Sequence, residues 1–457
     1  MFHLKRRTSD NRLVATAFAT IATLCSFAMH GRALAAEFPG LGPRGDLTTL
    51  EIETGVTILE GRNSRKQLIV TGVFTSGQRH DFTELAKYSL DKPNVVTIDS
   101  QGLVTPVADG EVVITAEAFG KKTQLTIQAV RCDSELAVNF ADEVVPLFTR
   151  MGCNAGGCHG KSDGQNGFRL SLLGFYPSDD YEYLVHEAQG RRLFPAEPEF
   201  SLLLLKSSNT LPHGGGKRLE RGSYEWELIA SWIRQGMPPI SEDAPKLERI
   251  EVNPPIREMN FSSKQQLSVV GHYDDGSSRD ITRLASYEAN QPEMAFVTDD
   301  GMVEVADTPG EAAVMIRFQG QVAVFRAVLP QGIQFEDKVP EKTFIDKFVF
   351  KRLHQLGIPP SEVCDDATFI RRTTVDITGR LPTPDQVSVF LQDVAPNKRD
   401  VLVDRLVDSS GYADNFANKW SMVLRNKRRN NNDIPYTFRF HRWIRQALAE
   451  NMPYDQF

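Results

Sequence analysis

Two thiols and an imidazole fall within seven residues of this chain, in the run Cys153-Asn154-Ala155-Gly156-Gly157-Cys158-His159. Two cysteines followed directly by a histidine are the groups that tether a haem: each thiol adds across a vinyl group, and the histidine ligates the iron from below. The common spacing has two residues between the thiols; here there are four, and the small Ala155, Gly156 and Gly157 let the longer loop fold tightly. The expectation is covalent haem c on Cys153, Cys158 and His159. Two other chemistries fit the same residues. One is a Cys153–Cys158 disulfide with His159 as a bystander; the other is a zinc site completed by a distant histidine. For the second axial iron position, His213 in Leu211-Pro212-His213-Gly214-Gly215-Gly216 is preferred, with Met237 as its rival. A Met/His pair would raise the reduction potential.

These residues need elements to hold them. Phe140, Val144, Leu147, Phe148 and Met151 share one face at helical spacing, so a helix should run into Cys153, with Pro146 in its first turn. A second helix is expected over Tyr224 to Gln235, striped by Trp226, Ile229, Trp232 and Ile233 and stopped at Gly236. Two helices bracketing a loop-rich middle make residues 132–245 similar in layout to a small class I cytochrome c, and that resemblance implies an all-α haem domain.

On either side of this segment the pattern is β. Short apolar runs separated by turn residues fill 47–131 and again 246–330. Gly72, Gly77, Asp81, Thr83, Tyr88 and Gly102 recur as Gly271, Gly276, Asp280, Thr282, Tyr287 and Gly301, always 199 positions on. The segments therefore read as two copies of one small sandwich. Through Gly271-His272-Tyr273-Asp274-Asp275-Gly276-Ser277, Asp280-Ile281-Thr282 and Asp300-Gly301-Met302-Val303 the copies resemble bacterial Ig-like domains of group 2 (BIG2). That likeness implies surface or secreted proteins built for adhesion or spacing. Asp280 and Thr282 read as a local turn, short polar side chains bonding nearby backbone.

Residues 341–457 read as a mainly α domain. Phe344, Ile345, Phe348, Val349 and Leu353 make one stripe; Gly379 stops a helix, Thr383 caps the next, and Leu402 and Leu406 mark another. The chain reaches Phe457 without stop residues, which reads as a truncated domain. Asp376-Ile377-Thr378-Gly379, Leu381-Pro382-Thr383-Pro384 and Leu402-Val403-Asp404-Arg405-Leu406 resemble a domain of unknown function. That domain accompanies cytochrome-c-like segments in exported planctomycete proteins. No catalytic residues are established by that resemblance, and no Ser-His-Asp order, phosphate loop or zinc-protease motif is present.

The fold class expected is thus multidomain: two all-β sandwiches flanking an all-α domain, then a mainly α C-terminal domain. Residues 1–35 have the form of a signal peptide, with Lys5, Arg6 and Arg7, an apolar Leu13 to Met29, and Ala33-Leu34-Ala35 for cleavage. Export to the periplasm or cell surface follows, with no transmembrane anchor left after cleavage. The formal net charge of −7 includes five Lys/Arg and one Asp in residues 1–35, so the remainder carries −11. That balance disfavours nucleic acid. The reading reached is an exported c-type cytochrome-like electron carrier with an unknown redox partner, its Ig-like modules attaching it to a surface polysaccharide or protein. The alternative is a haem-free adhesion or scaffold protein of the cell surface.

Overall fold

The computed structural model describes residues 39–134, 136–241, 244–336, 340–428 and 433–457. The signal-peptide expectation lies outside them. Contacts divide the chain into two compact units, residues 1–359 and 360–457.

The first β region contains β1 (Leu47–Ile52), β2 (Ile58–Glu60), β3 (Lys66–Gln67), β4 (Val70–Phe74), β5 (Arg79–Asp81), β6 (Lys87–Leu90), β7 (Val96–Ile98), β8 (Leu103–Pro106), β9 (Gly110–Ala118) and β10 (Lys121–Val130). The second repeats them as β11 (Leu247–Asn253), β12 (Ile256–Glu258), β13 (Lys264–Gln266), β14 (Ser268–Tyr273), β15 (Ser278–Asp280), β16 (Ser286–Ala289), β17 (Ala295–Val297), β18 (Met302–Val305), β19 (Gly310–Phe318) and β20 (Gln321–Leu329). The sheets match one for one. Orders β1-β4-β5, β2-β10-β9-β6 and β3-β8-β7 return as β11-β14-β15, β12-β20-β19-β16 and β13-β18-β17. Even the parallel pair, β2 with β10, recurs as β12 with β20. The offset of 199 holds from β4 through β8, then becomes 200 at β9, because the link between β18 and β19 is one residue longer than that between β8 and β9.

Alternation explains the burial. Along β9 the side chains of Val112, Ile114, Ala116 and Ala118 point inward and their neighbours outward, and β19 does the same with Ala312, Val314, Ile316 and Phe318. Gly72 lies mid-strand because the Phe82 ring sits where a Cβ would go, 2.9 Å away. Gly102, at φ +78°, makes the turn between β7 and β8 in the left-handed region.

Between the repeats, Phe140–Val144 forms a wide helical turn that passes into the helix Val145–Arg150, with Pro146 in its first turn. Asn139 caps the start by accepting from the Ala141 and Asp142 amides. The helix Tyr224–Arg234 is capped by Ser223 and ends before Gly236 at φ +82°. The two meet in one apolar core, where the Phe140 and Trp232 rings lie 4.9 Å apart and Leu147, Leu184, Leu204 and Ile229 are buried. The segment is thus a small helical domain with its own core, and a cytochrome-type domain here is not supported.

Helix Phe344–Leu356 belongs to the first unit. Thr343 and Asp346 form a capping box, and the Gln331 amide donates to the Leu356 carbonyl (2.6 Å). Its expected apolar stripe is exposed at Phe344, Ile345 and Phe348. The second unit contains helices Asp366–Thr378, Pro384–Gln392, Lys398–Val407, Ser410–Val423 and Ile434–Ala449. Ile370, Phe390, Leu402 and Leu406 make one buried cluster there. Gly379 ends the first of these helices at φ +70°, and Thr383 with Gln386 boxes the start of the next. Among the described residues no helix is long and apolar enough to cross a membrane.

Candidate functional site

The Cys153–Gly160 loop is held by its own backbone. The Cys153 amide donates to the Phe148 carbonyl (2.8 Å), the His159 amide to the Cys153 carbonyl (2.9 Å), and the Leu170 amide to the His159 carbonyl (2.8 Å). His159 Nδ1 donates to the Phe168 carbonyl at 2.9 Å, which fixes its tautomer, since a carbonyl can only accept. Burial lowers the imidazole pKa from its usual value, against the opposing effect of that hydrogen bond. His213 Nδ1 likewise donates to the Gly216 carbonyl (2.8 Å). The two rings face one another nearly parallel, 9° apart with centroids at 6.4 Å. The fold therefore brings His159 and His213 together. Met237 packs at the edge of the helical core, and its carbonyl accepts from Tyr181 Oη (2.7 Å).

The donor set falls short of a metal centre. Among the described residues no three His, Cys, Asp or Glu side chains converge to hold an ion. Cys153 retains some surface, yet it packs against the core, and burial pushes its thiol up to about 11. A thiol so placed stays protonated at neutral pH and is a poor nucleophile and ligand. Cys132, Cys153, Cys158 and Cys364 are all free, so the Cys153–Cys158 disulfide is not formed here.

A different polar assembly, one the sequence reading missed, lies where the two repeats meet. Asp81 Oδ1 accepts from the Thr83 amide (2.8 Å) and hydroxyl (2.6 Å), as a turn aspartate should. Its other oxygen crosses to the second repeat and accepts from the Gln266 amide. Asp280 does the reverse: Oδ1 accepts from the Thr282 amide (2.9 Å), and Oδ2 from the Gln67 amide of the first repeat (2.8 Å). Gln67 and Gln266 occupy equivalent positions. Each spends its side-chain amide on equivalent carbonyls, Gln101 (2.7 Å) and Asp300 (2.8 Å). The contact is reciprocal, residue for residue, as across a two-fold dimer interface. Burial pushes both carboxyls above the usual range, while their hydrogen bonds and nearby Arg257 (for Asp81) and Lys66 (for Asp280) pull them down. The purely local reading of Asp280 and Thr282 is corrected: one oxygen serves the turn and the other joins the repeats.

Beside this clasp runs a cleft of about 1040 Å³, walled by both repeats and the helical segment. Tyr273 and Tyr224 stand in it, each with a guanidinium over its ring: Arg279 at 4.8 Å and Arg65 at 4.5 Å from the centroids. Asp142 accepts from Gln319 Nε2 and lies 3.9 Å from Arg279. Glu143 accepts from the Asn139 amide (2.7 Å), and burial raises its carboxyl to about 7.

Residues 344–457 match the family profile described as "PSCyt2: Protein of unknown function (DUF1549)". No curated protein sequence matches the chain. Among solved structures, the S-layer protein rSbsC(31-844) is 9% identical with a TM-score of 0.17, over 65% of this chain and 29% of that one. SbsC domains 5-6 are 10% identical at a TM-score of 0.25, over 62% and 98%. The D00-D0 domain of Intimin is 8% identical at 0.14, over 63% and 100%. The chain spans less than a third of the first of these, and scores this low establish no common fold. With no cluster of three such donor side chains among the described residues, a haem-bearing electron carrier is not supported, and that expectation is corrected.

Proposed function

We propose that the chain is an exported surface scaffold or adhesion protein in which the two Ig-like repeats act as one binding body. The reciprocal Asp81–Gln266 and Asp280–Gln67 clasp carries this reading. Spacer modules joined by a linker bend against each other, whereas buried hydrogen bonds in both directions fix one relative orientation and so one composite surface. The acidic balance of the chain and its signal-like start favour display outside the cell over contact with nucleic acid. The helical segment between the repeats is the wedge that gives this body an asymmetric face.

The test is surface display with the protein's own N-terminus. Antibody staining and protease shaving of intact cells should reach the repeats, and purified protein should re-associate with stripped cell envelopes. Protein found solely inside intact cells, with no affinity for envelopes, would refute the proposal.

A further inference from the structure

The near-symmetry of the repeats supplies an internal comparison. Each side of the pair has a cleft built from the same parts. On one side Ser278 to Leu284 face the β2–β3 stretch, and on the other Arg79 to Leu85 face the β12–β13 stretch. The second cleft has a volume of about 290 Å³. The first reaches about 1040 Å³ because the helical segment adds a wall carrying Asn139, Asp142, Glu143 and Tyr224. The fold has thus enlarged one of two equivalent clefts and lined the addition with hydrogen-bonding groups.

We propose that the enlarged cleft binds a neutral saccharide. This rests on the surface-scaffold reading above and names the ligand class of its composite face. Four arginines and six carboxyl groups line the cleft, so neither sign dominates enough to hold a phosphate polymer or a polycation. Asp142 and Glu143 line the added wall as acceptors, with Asp142 taking a hydrogen bond from Gln319 Nε2 (2.6 Å) and Glu143 one from the Asn139 amide (2.7 Å). Asn63 and Ser64 add uncharged polar groups, the Ser64 hydroxyl donating to the Gly61 carbonyl (2.7 Å) while keeping lone pairs to accept. Arg283 lines the wall with its Nε buried and unpartnered, while its Nη2 is held by Gln67 Oε1 (3.2 Å). Carboxyl and guanidinium groups from both repeats and the helical segment line one cleft, a mix that suits vicinal hydroxyls, which present paired donors and acceptors without charge. One face of each cleft tyrosine is covered by arginine, so recognition runs through hydrogen bonds rather than ring stacking.

The test is calorimetric titration of the full chain with maltohexaose, cellohexaose, mannohexaose and N-acetylchitohexaose. At least one should bind with a Kd of about 10 µM to 1 mM, in the range of modest hydrogen-bonded sites. Arg279→Ala should weaken that binding about tenfold, the loss of one charge-assisted hydrogen bond. Ser134→Trp, at an exposed lining position, should block it by filling space. His80→Ala is the control, because His80 holds the position equivalent to Arg279 in the small cleft and should leave binding unchanged. No binding by any of the four sugars overturns the inference, as does equal loss with His80→Ala, or a cleft that takes only unstructured peptide. Surface staining of the same variants reports on the scaffold reading separately.

Discussion

At the residue scale the chain separates groups that look reactive from groups that are placed to act. Cys153 and Cys158 carry the most conspicuous spacing in the sequence, yet the fold packs one thiol against a core and raises its pKa to about 11. Native-state alkylation of Cys153 should be at least about tenfold slower than alkylation in denaturant, as expected for a partly covered, protonated thiol. The same peptide, taken from cells able to ligate haem, should show no porphyrin mass; a porphyrin adduct would reverse the correction made above. Asp81 and Asp280 look like ordinary turn residues but bond across the repeats. Asp280→Ala orphans the Gln67 and Thr282 amides in a buried site and should cost about 2–4 kcal/mol in chemical denaturation, since stranded buried donors carry their full desolvation penalty. A loss below about 0.5 kcal/mol would show the clasp to be incidental. Glu143 predicts a pH dependence. Its folded value of about 7 lies above its ordinary 4.5, so its contribution is fully present below the ordinary value and is lost as pH rises through 7. Glu143→Gln should flatten that slope and raise the melting temperature at pH 8 relative to the parent, by an amount corresponding to at most about 3 kcal/mol.

At the scale of elements, turns and caps set boundaries that packing then uses. Gly102 and Gly301 turn the β7–β8 and β17–β18 hairpins, and Tyr88 and Tyr287 donate from below to the Thr83 (2.7 Å) and Thr282 (2.9 Å) carbonyls. These bonds recur because the same local problem is solved twice. In the second unit the Thr383–Gln386 box fixes where Pro384–Gln392 begins. Thr383→Ala should lower the stability of that unit by about 1 kcal/mol, the usual worth of an N-cap, read from its own unfolding transition. Capping residues and left-handed glycines act within a few positions of themselves, which is why such boundaries are legible in the sequence.

At the scale of the whole first unit, the clasp predicts coupling. Destabilising one repeat should loosen the other, because each supplies an acceptor that the other needs. In hydrogen exchange, Asp81→Ala should speed exchange at the Gln266 amide and through β13 and β18, although the substitution lies in the first repeat. Exchange changes confined to the first repeat would show the two to be independent.

The sequence by itself determined what rests on short-range chemistry: the duplication, the strand alternation, the glycine turns, the helix caps, and the two helices that bracket the central segment. It could assemble a plausible metal site from Cys153, Cys158, His159, His213 and Met237 because spacing reports which groups are near in the chain. Only the tertiary structure decided which are near in space and how dry their surroundings are. It set the His159 and His213 rings side by side and packed the partly exposed Cys153 and Met237 against the helical core. Asp280 and Gln67 are 213 residues apart. No local pattern encodes a hydrogen bond of that span, because it exists only once both sandwiches have folded and their matching faces have met.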